Sequence, residues 1–318
     1  MSKSIDQNTI KNDGAVERAC PACGSSRAVP IWQKGTLTVV GCRECDVYYA
    51  NPVEAELASG KFYDRLGVPF YLSSDKLESD YAPVRFEREM GFFRKHCSSG
   101  AVLDVGCSTG AFLFRLNEIG DYRGTGMDVT GPALDHAESK GVPVIRESFL
   151  EHDFRDQQFQ AVTFWAVVEH LTDPLPFLRK AAALLAPEGL CFVLVPNRLS
   201  LATRILGARY RYIMPDHVNY FSRATLIAFM EKVPELEVVD VTTMKFNPIV
   251  ILQDLIRSPD RVPDAQRATL LKKTTAWKQS AWLRPVRWVY NRLEHVLGAM
   301  GLADNLVVVA RRRASVPN

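Results

Sequence analysis

Two groups of residues in this 318-residue chain have types and spacings suited to chemistry, and they lie far apart in sequence. The first is a pair of C-x-x-C turns, Cys20-Pro-Ala-Cys23 and Cys42-Arg-Glu-Cys45, with 18 residues between them. Four thiolates offered in this way close a tetrahedron around one cation, so the spacing predicts a structural Zn2+ site on Cys20, Cys23, Cys42 and Cys45. Such a site has no open position and does no chemistry, whereas a redox C-x-x-C would occur once, beside a βαβ unit. The second group begins at the glycine-rich turn Gly106-Cys-Ser-Thr-Gly110. Its D-x-G-x-x-x-G spacing from Asp104 differs from the G-x-G-x-x-G that brings backbone amides to a pyrophosphate, so a ligand without one is expected. Asp128, 18 residues after Gly110, is placed to accept from both hydroxyls of a ribose. His170 and His217 follow later strands at the edge where ligands of such sheets bind, and imidazole has the pKa to take a proton from a hydroxyl nucleophile. His217, within Pro215-Asp-His-Val-Asn-Tyr220, is the preferred base.

These residues need elements to hold them. Ala101–Val105 reads as a buried strand that runs into the turn and then into the helical Ala111–Leu116, and Arg123–Val129 reads as a second strand. The alternation of apolar runs with helix-period segments that follows predicts an α/β fold, a Rossmann-like doubly wound sheet. Between the cysteine pairs, Ala28–Trp32 and Thr36–Val40 flank Lys34-Gly35 as a short hairpin would. The expected organisation is a disordered tail (1–14), a zinc ribbon (15–52), an aromatic linker or lid (53–84), a core (85–247 and 304–312) and a helical insertion (248–303). The linker carries Phe62-Tyr63, Phe70-Tyr71 and Tyr81. In the insertion, a helix from about Pro285 to Ala299 sets Trp288, Val289, Leu293, Val296 and Leu297 on one flank, with Arg284, Arg287 and Arg292 beside it and Trp277 and Trp282 nearby. That stripe is expected to pack on its own domain, with the arginines facing water; the rivals are a pocket wall for an anionic or lipid-linked acceptor and a face lying on a membrane.

The run Val102–Gly110, the acidic Asp128 and Phe164-Trp-Ala-Val-Val-Glu-His-Leu-Thr-Asp-Pro174 resemble the class I S-adenosylmethionine methyltransferases over roughly residues 85 to 245. Leu184–Leu190 and Asp216–Ser222 resemble the branch that includes ubiquinone-biosynthetic O-methyltransferases. The cysteine pairs with Tyr48-Tyr-Ala-Asn-Pro52 resemble a narrower set of zinc-ribbon methyltransferases. The resemblance implies a seven-stranded sheet and S-adenosyl-L-methionine as cofactor. It implies that Gly106, Cys107, Ser108 and Gly110 shape the cofactor loop, with Cys107 chiefly packing, that Asp104 orients the loop and that Asp128 holds the ribose. Val129, Ser148 and Phe149 would contact adenine, and Trp165 and Glu169 would shape the methionine end. Where many relatives carry an aspartate after strand three, this chain reads Arg146-Glu-Ser-Phe149, so Ser148 is expected to substitute.

Composition sets the bounds. A formal charge of +3 does not by itself argue for a nucleic-acid partner. With Arg27 and Lys34 as the only cations between the cysteine pairs, no phosphate-gripping stripe is evident, so no such partner is expected. The longest apolar stretches are strand-length, so no transmembrane segment is expected. With no leader-like opening, a soluble, cytoplasmic protein follows. Cys97, Cys107 and Cys191 read as small buried hydrophobes without a catalytic role. The leading expectation is methyl transfer to a small-molecule acceptor, a hydroxyl of a sugar, polyketide or quinone-like metabolite. The alternatives are C-methylation of a nucleotide-linked sugar, RNA methylation guided by the ribbon, and a cofactor-binding scaffold.

Overall fold

The structure, a computed structural model, describes residues 14–58, 68–256, 263–279 and 284–314. The tail expected over 1–14 (save Gly14), Phe62, Tyr63 and Trp282 lie outside the described residues.

The N-terminal strands are β1 (Ala15–Val16), β2 (Ala28–Lys34), β3 (Leu37–Cys42), β4 (Tyr48–Ala50) and β5 (Val53–Glu54). β2 and β3 form the expected hairpin, turning at Gly35 with φ +56°. Short helices α1 (Ala55–Ala58), α2 (Val68–Tyr71) and α3 (Ser74–Asp80) follow, then α4 (Glu87–His96). The core continues with β6 (Gly100–Val105), α5 (Ala111–Asn117), β7 (Tyr122–Met127), α6 (Gly131–Ser139), β8 (Val144–Ile145) and β9 (Phe159–Trp165). After it come α7 (Leu175–Leu184), β10 (Leu185–Pro196), α8 (Leu201–Leu206), β11 (Asn219–Tyr220), α9 (Arg223–Met230) and β12 (Leu236–Met244). α10 (Pro248–Ile256), α11 (Asp264–Gln279) and α12 (Arg284–Ala299) precede β13 (Asn305–Arg312).

Seven strands form the main sheet in the order β8-β7-β6-β9-β10-β13-β12. β13 runs antiparallel to both of its neighbours. The sheet is buried on both faces, so adjacent residues enter different clusters. Leu103, Val193 and Val308 pack on one side, and Val102, Phe192 and Val309 on the other. The strand order reverses between β6 and β9, which opens a crevice at their carboxyl ends.

A second sheet, β11-β4-β3-β2, is the ribbon, and its last strand comes from the core. β11 pairs with β4 through Asn219↔Tyr49 and Tyr220↔Tyr48. The expected boundary at residue 52 therefore misses part of the module.

The insertion folds back as expected, but not with the expected face inward. α12 lies close on β12 because residue 298 is glycine: a Cβ there would come within 2.8 Å of the Thr243 carbonyl oxygen. Of the five stripe residues, Leu297 alone is buried, whereas Trp288, Val289, Leu293 and Val296 are 46–61% exposed. The expectation that this stripe packs on its own domain is corrected here. Tyr290, Glu294 and Leu297 turn inward instead, and the Tyr290 hydroxyl donates to the Phe246 carbonyl.

Candidate functional site

The four cysteine sulfurs lie within 4.8 Å of one another, an arrangement able to hold a metal ion. Cys20 and Cys45 are 3.5 Å apart through sulfur, and Cys23 and Cys42 3.4 Å. A tetrahedron with bonds of about 2.3 Å separates its corners by about 3.8 Å, so the donors fit zinc. Each knuckle closes in the same way. The Gly24 amide donates to the Cys20 carbonyl (2.9 Å) and the Asp46 amide to the Cys42 carbonyl (3.1 Å), with Gly24 and Asp46 both at positive φ.

The crevice holds a cavity of about 380 Å³. Its floor is the turn after β6, where Gly106 has φ +74° and a Cβ would meet Val167 at 2.6 Å, so glycine is required. Cys107 is buried with its sulfur against Gly126, which matches a packing role, although it also lines the cavity. Asp104 lines it too and accepts a 2.6 Å hydrogen bond from the Thr163 hydroxyl on β9. Burial, helped by Asp128, pushes the Asp104 carboxyl up to about 7.

Asp128 stands beside the turn. Its Oδ2 accepts from the Ser108 amide (2.9 Å), and its Oδ1 accepts from the amides of Val129 (2.8 Å) and Thr130 (3.0 Å). The carboxylate is thus anchored to the loop, with acceptor capacity beyond these three bonds. Val129 is exposed at the edge, whereas the Phe149 ring is turned into the core and stacked on Phe177 at 5.7 Å. Arg146 bridges Asp135 (2.9 Å) and Glu138 (2.5 Å) on α6.

Across the cavity, β9 ends at Trp165 and a short 3-10 turn, Val168–His170, presents Glu169 and His170. The Trp165 indole nitrogen and both Glu169 carboxylate oxygens are buried without a hydrogen-bond partner among the described residues. Burial, then the neighbouring Asp216, pushes Glu169 up to about 8. His217 faces His170 edge-on, with ring centroids 4.7 Å apart. Each ring bonds a backbone carbonyl through Nδ1: His170 to Asp216 at 2.7 Å and His217 to Tyr212 at 3.0 Å. A carbonyl only accepts, so Nδ1 carries the proton in both and Nε2 carries the lone pair. Burial, then His170, pushes His217 down to about 3, and burial lowers His170 as well. Glu169, His170 and His217 present ligand atoms within 4.8 Å of one another, a second group able to hold a metal ion.

The ribbon holds this triad in place. The Val218 amide donates to the Glu169 carbonyl (2.8 Å), and the Ala50 amide at the end of β4 donates to the Val218 carbonyl (2.9 Å). Asn219 donates to the carbonyls of Val168 (3.0 Å) and Leu171 (2.7 Å). Arg18 reaches the Thr172 and Val218 carbonyls, both at 3.3 Å.

The cavity roof comes from the linker and the insertion. Phe70 and Tyr71 line it, as do Arg267, Leu270, Leu271 and Thr274 of α11. Tyr81 donates to the Thr109 carbonyl of the turn. Sequence reasoning missed a layer of buried ions in this wall: Lys76 and Arg85 with Asp80, and Lys245 with Glu89. The i,i+4 spacing of Lys76 and Asp80 was the available signal. Arg85 and Lys245 come together only in the fold. Ser148, Val129 and Phe149 are not among the residues that line this cavity.

Residues 81–237 match a family model described as a methyltransferase domain. The chain is 34% identical over 122 residues to a ubiquinone biosynthesis O-methyltransferase of Actinobacillus pleuropneumoniae, an alignment covering 34% of this chain and 52% of that protein. To the enzyme of the same name from Haemophilus ducreyi it is 28% identical over 189 residues, covering 52% and 77%. The chain thus spans about half the length of the first of these relatives and about three quarters of the second. Among solved structures, an S-adenosylmethionine-dependent methyltransferase from Thermotoga maritima, described as a possible histamine N-methyltransferase, superposes with a TM-score of 0.53 at 14% identity, covering 80% of this chain and 99% of that one.

Proposed function

Because the chain carries a class I S-adenosylmethionine-dependent methyltransferase domain, we propose that it transfers the methyl group of that cofactor to a hydroxyl of a small-molecule acceptor. The observation that carries this reading is the placement of the His170–His217 pair and Glu169 across one cavity from the Gly106–Gly110 turn. The residues fit the cofactor. The turn admits close approach, Asp128 stands at its edge with acceptor capacity for ribose hydroxyls, and the unpartnered Trp165 and Glu169 groups offer polar contacts inside the wall. Val129 and Ser148, which lie beyond the lining of this cavity, are assigned to the adenine end, with Phe149 as packed support.

Bound there, the cofactor supplies an electrophilic methyl on a positively charged sulfur. The protein's part is alignment, exclusion of water and receipt of one proton. With the methyl passing to the acceptor oxygen and the sulfur keeping the electrons of the broken bond, the hydroxyl proton would go to an imidazole Nε2. His170 takes this role, in place of the His217 preferred from sequence. His217 is the more deeply buried ring, and a group held near 3 accepts a proton poorly. His217 then buttresses His170 edge-on, and the Asp216 carboxylate, whose charge raises the His170 pKa against burial, stabilises the imidazolium that forms. The four cysteines hold structural zinc and keep the ribbon folded.

The first test is calorimetric titration with S-adenosylmethionine and S-adenosylhomocysteine, with Asp128→Ala as control. Binding that the variant loses supports the site. A folded protein that binds neither overturns the reading. A hydroxyl screen with quinols, phenols and sugars then separates the acceptor classes.

A second reading rests on one observation, the 4.8 Å grouping of Glu169, His170 and His217 with both Nδ1 atoms bonded to carbonyls. Metal-ligating histidines commonly have this arrangement, and a divalent cation there would polarise the acceptor oxygen. Metal analysis of wild type and Glu169→Gln distinguishes the two: a second equivalent lost in the variant favours the metal, and zinc at the cysteines alone favours the histidine base.

A further inference from the structure

Two helices of the insertion each bury an acid while leaving a row of aliphatic side chains exposed. In α12, Glu294 is 4% exposed and bonded to Arg88 at 3.2 Å, while Val289, Leu293 and Val296, with Met300 just beyond, face out at 46–64% exposure. In α10, Asp254 is 1% exposed in a two-point pair with Arg211 (2.6 and 3.0 Å), while Ile249, Leu252, Leu255 and Ile256 face out at 43–72%. The inward sides of both helices meet in one cluster through Leu297, Val250 and Ile251, joined by Ala202 and Leu206 of α8. α8 adds Ile205 to the outward side, 50% exposed. A helix facing water would do the opposite, since each acid buried here gives up hydration and each aliphatic left out forgoes burial.

Among the described residues, the exposed charges of this face have one sign. Arg204, Arg209 and Arg292 are exposed on or beside these helices, and the two acids of the described segments α10 and α12 are the buried ones. The Arg292 guanidinium lies over the Trp288 ring at 5.3 Å, an apolar body with a charged tip of the kind that sits well at a lipid headgroup. No helix among the described residues is long and apolar enough to cross a membrane, so contact would be in the plane of the interface.

We propose that the outward faces of α8, α10 and α12 dock on an anionic lipid bilayer. Aliphatic side chains enter the acyl boundary, and the arginines meet the negative headgroups. Nothing in this depends on methyl transfer, so the two readings stand or fall separately.

The test is co-sedimentation of the full chain, without cofactor, with vesicles of equal parts phosphatidylglycerol and phosphatidylcholine, and with phosphatidylcholine alone. The expected result is partition onto the anionic vesicles that weakens with salt. Leu293→Asp should lower it by about tenfold or more, and Arg292→Gln by about fivefold. Leu150→Asp, at an exposed position beside the opposite edge strand β8, should leave it unchanged. Circular dichroism establishes that each variant is folded. Three results overturn the proposal: no sedimentation with either vesicle, partition that Leu293→Asp leaves intact, or a concentration-dependent dimer that Leu293→Asp dissociates. The last would make a second copy of the chain the occupant.

Discussion

The ribbon and the insertion are both additions to the same core, and they differ in that the ribbon shares a sheet with it while the insertion does not. The ribbon packs side chains such as Val40, Val47 and Tyr49 into the main core cluster and is joined to the core by backbone as well: β4 pairs with β11, and the Ala50 and Val218 amides form a relay to the Glu169 carbonyl. The insertion is joined by side chains, through Leu297, Val250 and the ion pairs of Arg88 and Arg211, and leaves its aliphatics outside. Backbone pairing fixes position to a fraction of an ångström and suits an element that orients side chains. Side-chain attachment leaves one face available for another partner. The ribbon therefore bears on the Glu169–His170 side of the cavity, the side that the proposed function gives to the acceptor.

The largest effect should come from breaking the ribbon. Replacing Cys42 with Ser removes one of four donors, and structural zinc sites contribute folding energy outright. Strand β4 would lose its support and with it the His217–Asn219 segment. Transfer to any accepted hydroxyl should fall by on the order of a hundredfold, while S-adenosylhomocysteine affinity, set by the turn after β6, stays within a few-fold. Equal loss of both would mean that the ribbon supports the whole fold, not one half of the site.

Within that half, the order of the histidines is the next division. His170→Ala should lower kcat by about 10²–10⁴. His217→Gln, which keeps volume and a hydrogen-bonding edge, should cost far less. Because burial lowers the pKa of His170, wild-type kcat/KM should be level through neutral pH and fall only in acid. If the two variants exchange places in steady-state kinetics, His217 is the base after all.

Much of this was legible from types and spacing. The C-x-x-C pairs, the hairpin around Gly35 and the turn at Gly106–Gly110 all follow from local rules, because each depends on residues close in sequence or on a buried apolar run. The faces of α12 did not. Its stripe reads as a buried one by periodicity, and what decided otherwise was Arg88, 206 residues from Glu294, which gives the acid a reason to be inside. Likewise β11 is two residues long and has no pattern of its own; only pairing with β4 makes it a strand. The charged wall formed by Asp80, Arg85, Glu89 and Lys245 is long-range for the same reason.

A subtler comparison concerns the buried acids and the buried imidazole. Glu169 stays protonated in the folded chain until about pH 8, but ionises in the unfolded chain above about 4.3. Its contribution to stability is thus full below that lower value and is lost as pH rises through 8. Asp104 acts in the same direction up to about 7. His217 acts oppositely: neutral when folded down to about 3, it contributes stability above about 6.5 that is lost as pH falls. Below about 7 the terms of Asp104, Asp304 and His217 overlap with that of Glu169, so the Glu169 slope stands clear between about 7 and 8. There the unfolding free energy should decline with pH by on the order of 1 kcal/mol per unit, and Glu169→Gln should flatten it. Persistence of the slope in the variant would assign it elsewhere, and its absence in metal-loaded wild type would mean that a cation holds Glu169 ionised.

The smallest effect is the sharpest test of the inverted helix. Leu293 and Leu297 occupy the same helix one turn apart, yet one is 46% exposed and the other 7%. Leu297→Ala should destabilise by about 2 kcal/mol or more, because it opens a void beside Val250 and Ile251. Leu293→Ala should change stability by less than about 0.5 kcal/mol. Urea unfolding of the two variants in the absence of lipid reads the difference directly. Comparable losses would mean that Leu293 is covered in solution by this chain or a second copy, and the outward face of α12 would then be an internal or subunit contact instead of a surface kept open.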